Sequence, residues 1–292
     1  MHIRVRIPTK RRICLSVIAA ALVFFFLFLP FGKLEEPLEY PIVILGDSIV
    51  GNTGENGKNF THHLAERLDT KVLKAGLGGT CMSVPQKEGW GSMSSTEWSM
   101  VKLAEAICYE DWKSQKGTMA YAESYSDVNN QALDYFAETM EQLSRVDFSK
   151  VNILIIEHGT NDYNAGKPVD NKEDLYDVTT FGGALRHSLK LFQKRYPELR
   201  IILLSPIYCA LGENQTKKCY NTSYGEGGYL DEYVALEKEI AGEFGVEWLD
   251  AYHDLGIGEE NAAEYLSDFL HLNARGHRLM GDFVADYLET KR

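Results

Sequence analysis

The chain has 292 residues, of which 45% are hydrophobic and 25% are charged, so it is long enough to bury one sizeable core. Its formal net charge is −12, and because five cations lie within positions 1–12, the remainder is more acidic still and is not expected to bind nucleic acid. Five cysteines are too few for a disulfide scaffold, and no cysteine and histidine cluster has zinc spacing, so we expect no metal or other cofactor.

The first predicted element is an apolar run at 13–31. At about 1.5 Å per residue, this run nearly spans a bilayer core of about 30 Å. The basic flank at 1–12 predicts a cytoplasmic N-terminus, and therefore a single-pass protein of the cell membrane whose globular part lies outside. The alternatives are a cleaved signal peptide, which would give a secreted protein, and a buried core helix. The end of the run, FLFLPFGKLEEP, lacks the small residues that a signal peptidase needs, which favours the anchor.

A linker at 32–40 leads into a region, 41–292, that we interpret as one domain of alternating strands and helices. The strand-like segments are short and almost continuously apolar, as in a sheet covered on both faces, and lie at 41–45, 71–73, 151–156, 200–204 and 246–249. The helix-like segments lie at 60–68, 96–112, 129–144, 181–196, 230–244 and 274–289. This alternation predicts a three-layer α/β/α sandwich around a central parallel, flavodoxin-like sheet of about five strands.

Two connections are longer than usual for such a fold, at 81–128 and 208–229. The first contains several tryptophans and tyrosines, which either face a substrate or pack in the core, and its segment SMVKLAEAI is typical of an amphipathic helix. In the second, Cys209 and Cys219 flank a polar loop. A disulfide between them is plausible outside the cell, but the spacing alone does not establish it.

Polar clusters follow the predicted strands and precede the last helix. They read GDSIVGN at 46–52, AGLGGT at 75–80, GTND at 159–162 and DFLH at 268–271. Because ligands bind outside the carboxyl ends of parallel strands, we expect the four blocks to meet at one edge of the sheet. There, His271 could take the proton of the Ser48 hydroxyl, and Asp268 could orient the imidazole.

These four blocks, in this order, resemble those of the SGNH/GDSL hydrolase family of serine esterases and lipases. The resemblance extends from about position 40 to the end and leaves the apolar run outside it. It implies a Ser48, His271 and Asp268 triad, and an oxyanion hole formed by the backbone N–H groups of Ser48 and Gly79 and the side-chain amide of Asn161. The family often has an asparagine shortly before the glycine, and this chain does not, which leaves Gly78 as an alternative to Gly79.

The neighbouring polar residues have weaker interpretations. His253, close to the end of the last predicted strand, is an alternative catalytic base, and His158 could support Asn161 from behind. Asp47 and Asp162 are expected to hold the turns that carry Ser48 and Asn161.

The leading functional hypothesis is a metal-independent esterase outside the membrane that releases short acyl groups, for example acetyl groups from a polysaccharide. The alternatives with the same site are a lysophospholipase or lipase, because an anchor brings the site near lipid, and an acyltransferase that uses a sugar hydroxyl as acceptor. A non-catalytic carbohydrate-binding envelope protein is the alternative from another class, which loss of Ser48, Asn161 or His271 would favour; all three are present.

Overall fold

The centre of the molecule is a parallel sheet of five strands. They are β1 (Ile42–Gly46), β2 (Val72–Gly76), β3 (Ile153–Glu157), β4 (Arg200–Leu204) and β7 (Glu247–Leu249), paired in the order β2-β1-β3-β4-β7. Every pairing is parallel. The prediction of a flavodoxin-like parallel sheet of five strands is therefore confirmed. A separate antiparallel pair, β5 (Ala210–Leu211) and β6 (Lys217–Lys218), follows β4.

This computed structural model describes residues 37–52, 57–85, 96–124, 130–212 and 215–291. The basic segment at 1–12, the predicted anchor at 13–31 and most of the linker at 32–40 lie outside the described residues. Within the described ranges, no helix is both long enough and apolar enough to cross a membrane. From Pro37 onward the chain forms one compact unit.

Eleven α-helices are described around the sheet. They are α1 (Ser48–Gly51), α2 (Phe60–Leu68), α3 (Met100–Tyr109), α4 (Lys113–Ser124), α5 (Asn130–Arg145), α6 (Thr160–Asn164), α7 (Phe181–Arg195), α8 (Leu230–Phe244), α9 (Ala251–Asp254), α10 (Ala262–Tyr265) and α11 (Ala274–Thr290). Helix α2 packs on α11, and α7 packs on both α3 and α8. Since crossovers between parallel strands are right-handed in nearly all proteins, those on the two sides of β1 are expected to put these two groups on opposite faces, which gives the three layers.

Strand β1 explains why the sheet forms where it does. All five of its residues are buried, and Val43, Ile44 and Leu45 are completely inaccessible. Fully burying such an aliphatic side chain contributes about 1.5–3 kcal/mol, so a continuous apolar run is stable only between two covering layers. The strand order reverses at β1, whose neighbours are β2 and β3, and this switch point is where an open sheet leaves a crevice.

The long connection at 81–128 contributes to the core where it is described. In α3, the side chains of Val101, Ala104 and Ile107 are buried, which agrees with an amphipathic helix that packs on the domain. The Trp98 ring is fully buried and stacks on Phe136 with their centroids 5.2 Å apart. Trp98 therefore packs in the core and does not face a substrate. The predicted continuous helix at 96–112 is wrong in extent, because a 3₁₀ turn precedes α3 and a break separates α3 from α4.

Candidate active site

Ser48 lies in a tight turn that carries the chain from β1 into α1. Asp47 caps this helix, and its Oδ1 accepts a hydrogen bond of 2.8 Å from the N–H of Ile49. The turn requires glycine at position 46, because a Cβ there would lie 2.1 Å from Cγ2 of Val50 and 2.9 Å from the carbonyl oxygen of Glu157. Ser48 is thus the first residue of a helix, where unpaired N–H groups favour negative charge.

His271, in the loop before α11, lies within hydrogen-bond distance of Ser48. Its Nε2 lies 2.9 Å from Oγ of Ser48, and its Nδ1 lies 2.7 Å from Oδ2 of Asp268. Since a carboxylate only accepts hydrogen bonds, Nδ1 carries the proton that is donated to Asp268, and Nε2 is free to accept one from the serine hydroxyl. The structure thus brings these three predicted site residues into one hydrogen-bonded chain.

The Asp268 carboxylate also shapes its own loop. Its Oδ1 accepts from the backbone N–H groups of His271 at 2.7 Å and Leu270 at 3.1 Å. Partial burial acts to raise the pKa of Asp268, but these backbone bonds and the His271 ring outweigh it and hold the pKa below its usual value. Phe269, between them, has a φ of 62°, a left-handed conformation that is uncommon for a bulky residue. Asp268 is therefore ionised at neutral pH and fixes the imidazole.

The glycine block forms a turn beside the serine. The N–H of Thr80 donates to the carbonyl of Leu77 at 3.3 Å, and Gly79 has a φ of +76°, as the third position of a type II turn requires. A Cβ built on Gly78 would lie 3.7 Å from Cβ of Ser48, whereas one on Gly79 would contact nothing within 4 Å. Both candidate glycines thus lie in a turn next to Ser48, and Gly79 borders open space.

Asn161 connects the blocks to one another. It lies in the first turn of α6, and its Nδ2 donates to Oδ2 of Asp47 at 2.9 Å and to the carbonyl of Thr80 at 3.0 Å. Both amide hydrogens are therefore engaged in this structure, and an oxyanion would have to share one of them. Asp162, fully buried, accepts from the N–H groups of Met82 and Ser83 at 2.7 and 3.0 Å, and so ties α6 to the chain after β2.

The two other histidines of interest do not contact the serine in this arrangement. His253 pairs with Asp250, with Nδ1 and Oδ2 2.9 Å apart, and its side chain is 60% exposed. His158 is fully buried, with Nε2 3.4 Å from Oγ1 of Thr80, and burial lowers its pKa to about 3. Ser48 instead has His271 as its partner, which favours His271 over His253 as the base.

Glu157 is the residue near the site that the sequence interpretation missed. It ends β3 directly opposite Gly46 and is completely buried. Burial, and next the charge of Asp47, raise its pKa well above the usual value, and burial raises the pKa of Asp47 to about 7. In the sequence, Glu157 directly follows the apolar run VNILII, and this position could have indicated a buried carboxyl group. A buried carboxyl pair thus lies behind the serine turn.

Across the ranges that the structure describes, no group of three or more His, Cys, Asp and Glu side chains could hold a metal ion. The arrangement offers instead a hydroxyl, a base with a fixed tautomer and several N–H groups at a helix start and a tight turn. Such a set can perform acyl transfer through a serine ester.

Comparisons with known proteins agree with this chemistry. The model of the GDSL-like lipase/acylhydrolase family matches residues 44–279, which include all four blocks. No curated protein sequence gives a significant match.

Solved structures match over nearly the whole described domain. A structural-genomics protein from Lactobacillus plantarum is 20% identical, with a TM-score of 0.58 and coverage of 87% of this chain and 99% of that one. A protein from Chitinophaga pinensis, named a possible lipase, is 17% identical, with a TM-score of 0.54 and coverage of 87% and 99%. A salicylyl-acyltransferase of a tetracycline biosynthetic pathway is 14% identical, with a TM-score of 0.50 and coverage of 87% and 55%. At these identities the likeness is one of fold.

Proposed function

Because the chain belongs to the GDSL-like lipase/acylhydrolase family, whose members hydrolyse esters, we propose that it is a serine esterase with Ser48 as nucleophile, His271 as general base and Asp268 as the residue that orients it. The observation that carries this proposal is the continuous contact from Oγ of Ser48 through the imidazole to the carboxylate, with separations of 2.9 and 2.7 Å. A serine hydroxyl is a weak nucleophile without such a base.

In the proposed reaction, His271 takes the hydroxyl proton as Oγ of Ser48 attacks the ester carbonyl. Asp268 stabilises the imidazolium that forms, without itself taking the proton. The N–H groups of Ser48 and Gly79 and the amide of Asn161 donate to the oxyanion. His271 then gives its proton to the departing alcohol, and water, activated by the same base, releases the acid from the acyl-enzyme.

We propose that the acyl group is short, such as acetyl, and that the alcohol belongs to a polysaccharide outside the cell. The location follows from a proposed anchor at 13–31 with basic residues on its N-terminal side only. The intact mass of the protein from the membrane fraction tests the anchor. A measured mass that equals that of the whole chain shows that positions 1–31 are retained and supports the anchor. A mass that corresponds to a chain starting after position 31 indicates cleavage and a secreted protein.

The catalytic proposal is tested with a Ser48→Ala variant and a chromogenic acetyl ester. We expect kcat/KM to fall by at least about 10³-fold, since removing the nucleophile of a triad leaves only residual catalysis. Ser144→Ala on helix α5, whose hydroxyl donates to the carbonyl of Glu141, serves as the matched control and should keep full activity. Equal rates for Ser48→Ala and the unmodified protein would overturn the assignment.

A panel of esters then separates the substrate classes. Preference for acetyl over longer acyl groups, and for sugar over lipid alcohols, supports a polysaccharide deacetylase. Strong preference for long acyl chains indicates a lipase or lysophospholipase instead. Formation of a new sugar ester when an acceptor sugar is added indicates transfer rather than hydrolysis.

A further inference from the structure

Cys209 and Cys219 lie directly opposite each other at the open end of the β5–β6 hairpin. The hairpin pairs Ala210 with Lys218 in antiparallel register, so the next pair outward is Cys209 with Cys219. Their main chains confirm this position, because the N–H of Cys219 donates to the carbonyl of Cys209 at 3.1 Å. Directly opposed residues in an antiparallel pair have Cα atoms about 4.5–5.5 Å apart, which lies within the disulfide range of about 4.4–6.8 Å.

The Cys219 side chain points towards Cys209. The N–H of Cys209 donates to Sγ of Cys219 at 3.5 Å, so the Cys219 sulfur is directed at the opposite strand. Both residues are buried and their sulfur atoms are not bonded to each other in this structure. The hydrogen bond with the neighbouring Cys209 thiol lowers the pKa of Cys219. A thiolate is the form that attacks a disulfide.

The cysteine pair is connected to the loop of the proposed base. Next to Cys209, the N–H of Ala210 donates to the carbonyl of Phe269 at 2.9 Å. Phe269 holds its left-handed conformation between Asp268 and His271. On the other strand, the carbonyl of Cys219 accepts from the N–H of Leu230 at 3.0 Å, where α8 begins. The end of the hairpin therefore supports the loop that presents His271.

We propose that Cys209 and Cys219 are an oxidation site, at which a disulfide closes the end of the hairpin and secures the loop that carries His271.

The oxidant is a small disulfide such as oxidised glutathione. The thiolate of one cysteine attacks a glutathione sulfur and releases one glutathione thiol. The second cysteine then attacks the mixed disulfide, which forms the protein S–S bond and releases the second glutathione thiol. Two protein thiols are oxidised, one glutathione disulfide is reduced, and two protons pass to the departing thiols. Because both sulfurs are buried in the folded protein, the bond forms during folding, before the hairpin is covered.

The test uses the full-length protein, unfolded and refolded either in a glutathione redox buffer or in excess reductant, and then alkylated and digested. The chain has five cysteines, so the bonded protein should take up three alkyl groups and the reduced protein five. Mass spectrometry should find a peptide pair that joins Cys209 to Cys219. We also expect the oxidised protein to unfold about 5 °C higher than the reduced one, since closing a loop of this size restricts the unfolded chain.

Two variants make the result specific. In a Cys209→Ser and Cys219→Ser double variant, the unfolding temperature should be the same in both buffers. In Cys108→Ala, which removes a buried cysteine of α3 away from the hairpin, the difference should persist. Five alkylated cysteines after oxidative refolding, a different pairing, or a stable glutathione adduct on one of the two residues would overturn the proposal.

Ester hydrolysis provides a separate readout, which alone rests on the proposed function. If the bond secures the His271 loop, the oxidised protein should keep its esterase activity longer at elevated temperature than the reduced protein or the double variant. An active Ser48→Ala variant would overturn the proposed function and leave the cross-linked peptide and the thermal shift unaffected. A missing cross-link with an inactive Ser48→Ala variant would overturn only the disulfide.

Discussion

Asn161 shows how a single side chain can both build the proposed site and act in it. Its amide group reaches Oδ2 of Asp47, which caps the serine helix, and the carbonyl of Thr80, which closes the glycine turn. The three turns that surround Ser48 are therefore joined through one amide. The sequence blocks predicted that these residues would meet. They did not reveal that the proposed oxyanion donor would have both hydrogens engaged, because that depends on the relative placement of three separate loops.

We predict that Asn161→Ala lowers kcat by about 10²–10³-fold with a smaller change in KM, as expected for loss of one oxyanion donor. The unfolding free energy should also fall by about 1–3 kcal/mol, because buried acceptors lose their partner. Kinetics on a chromogenic ester and thermal unfolding measure the two effects. Asn152→Ala, at an exposed position, is the control and should change neither. An unchanged kcat in Asn161→Ala would remove Asn161 from the oxyanion hole.

At the scale of elements, the glycine turn after β2 combines a special backbone conformation with open space. Gly79 has a φ of +76°, and Gly256, in the loop after α9, has a φ of +79°. A Cβ at either position would contact nothing within 4 Å. The two residues therefore have similar local backbone strain and differ in their location, so a substitution at Gly256 is a suitable control for one at Gly79.

We predict that Gly79→Ala and Gly256→Ala each destabilise the protein by about 1–2 kcal/mol, the penalty for a left-handed residue with a side chain. Only Gly79→Ala should also reduce kcat, because the turn next to Ser48 must shift to relieve the strain. Denaturant unfolding and steady-state kinetics test the pair. Equal activity of the two variants would show that the Gly79 turn takes no part in the reaction.

The elements that could be predicted are those with a strong local pattern. The apolar runs of β1 and β3 and the spacing of apolar residues in α7 led to nearly correct bounds. The hairpin of β5 and β6 could not be predicted, because strands of two residues have no measurable periodicity. Helix α4 was not predicted, because its sequence KSQKGTMAYAES contains a glycine and has no clear apolar stripe. Likewise, the sequence alone does not show that Cys209 lies opposite Cys219, because this pairing depends on the strand register of the folded hairpin.

At the scale of the whole molecule, buried carboxyl groups make stability depend on pH. Asp47, Glu157 and Glu237 are completely buried, and burial raises the pKa of each, to about 7 for Asp47 and about 8 for Glu237. Since the folded state holds these protons at a pH where the unfolded state has released them, their contribution to stability is lost as the pH rises towards the folded pKa. Burial lowers the pKa of His158 and His277, which act in the opposite direction below about pH 6.5. The effect of the carboxyl groups is therefore clearest above that pH.

Glu237 allows this effect to be isolated, because it lies in α8 and not in the proposed site. Its Oε2 accepts from Nε1 of Trp248 at 3.1 Å, and glutamine could keep that bond through its amide oxygen without ever ionising. At pH 6 folded Glu237 is protonated, whereas an unfolded glutamate, with a pKa of about 4.3, is ionised. Part of the contribution is therefore already lost at pH 6, and the gap between the two proteins widens further as the pH rises to the folded pKa. At pH 9 the folded unmodified protein must either ionise Glu237 in its buried site or keep it protonated at a pH that favours the ionised form. We therefore predict that the unfolding temperature of Glu237→Gln exceeds that of the unmodified protein by roughly 5 °C more at pH 9 than at pH 6. Thermal unfolding of both proteins at pH 6, 7.5 and 9 is the measurement, and a difference that does not grow with pH would mean that Glu237 keeps an ordinary pKa in the folded state.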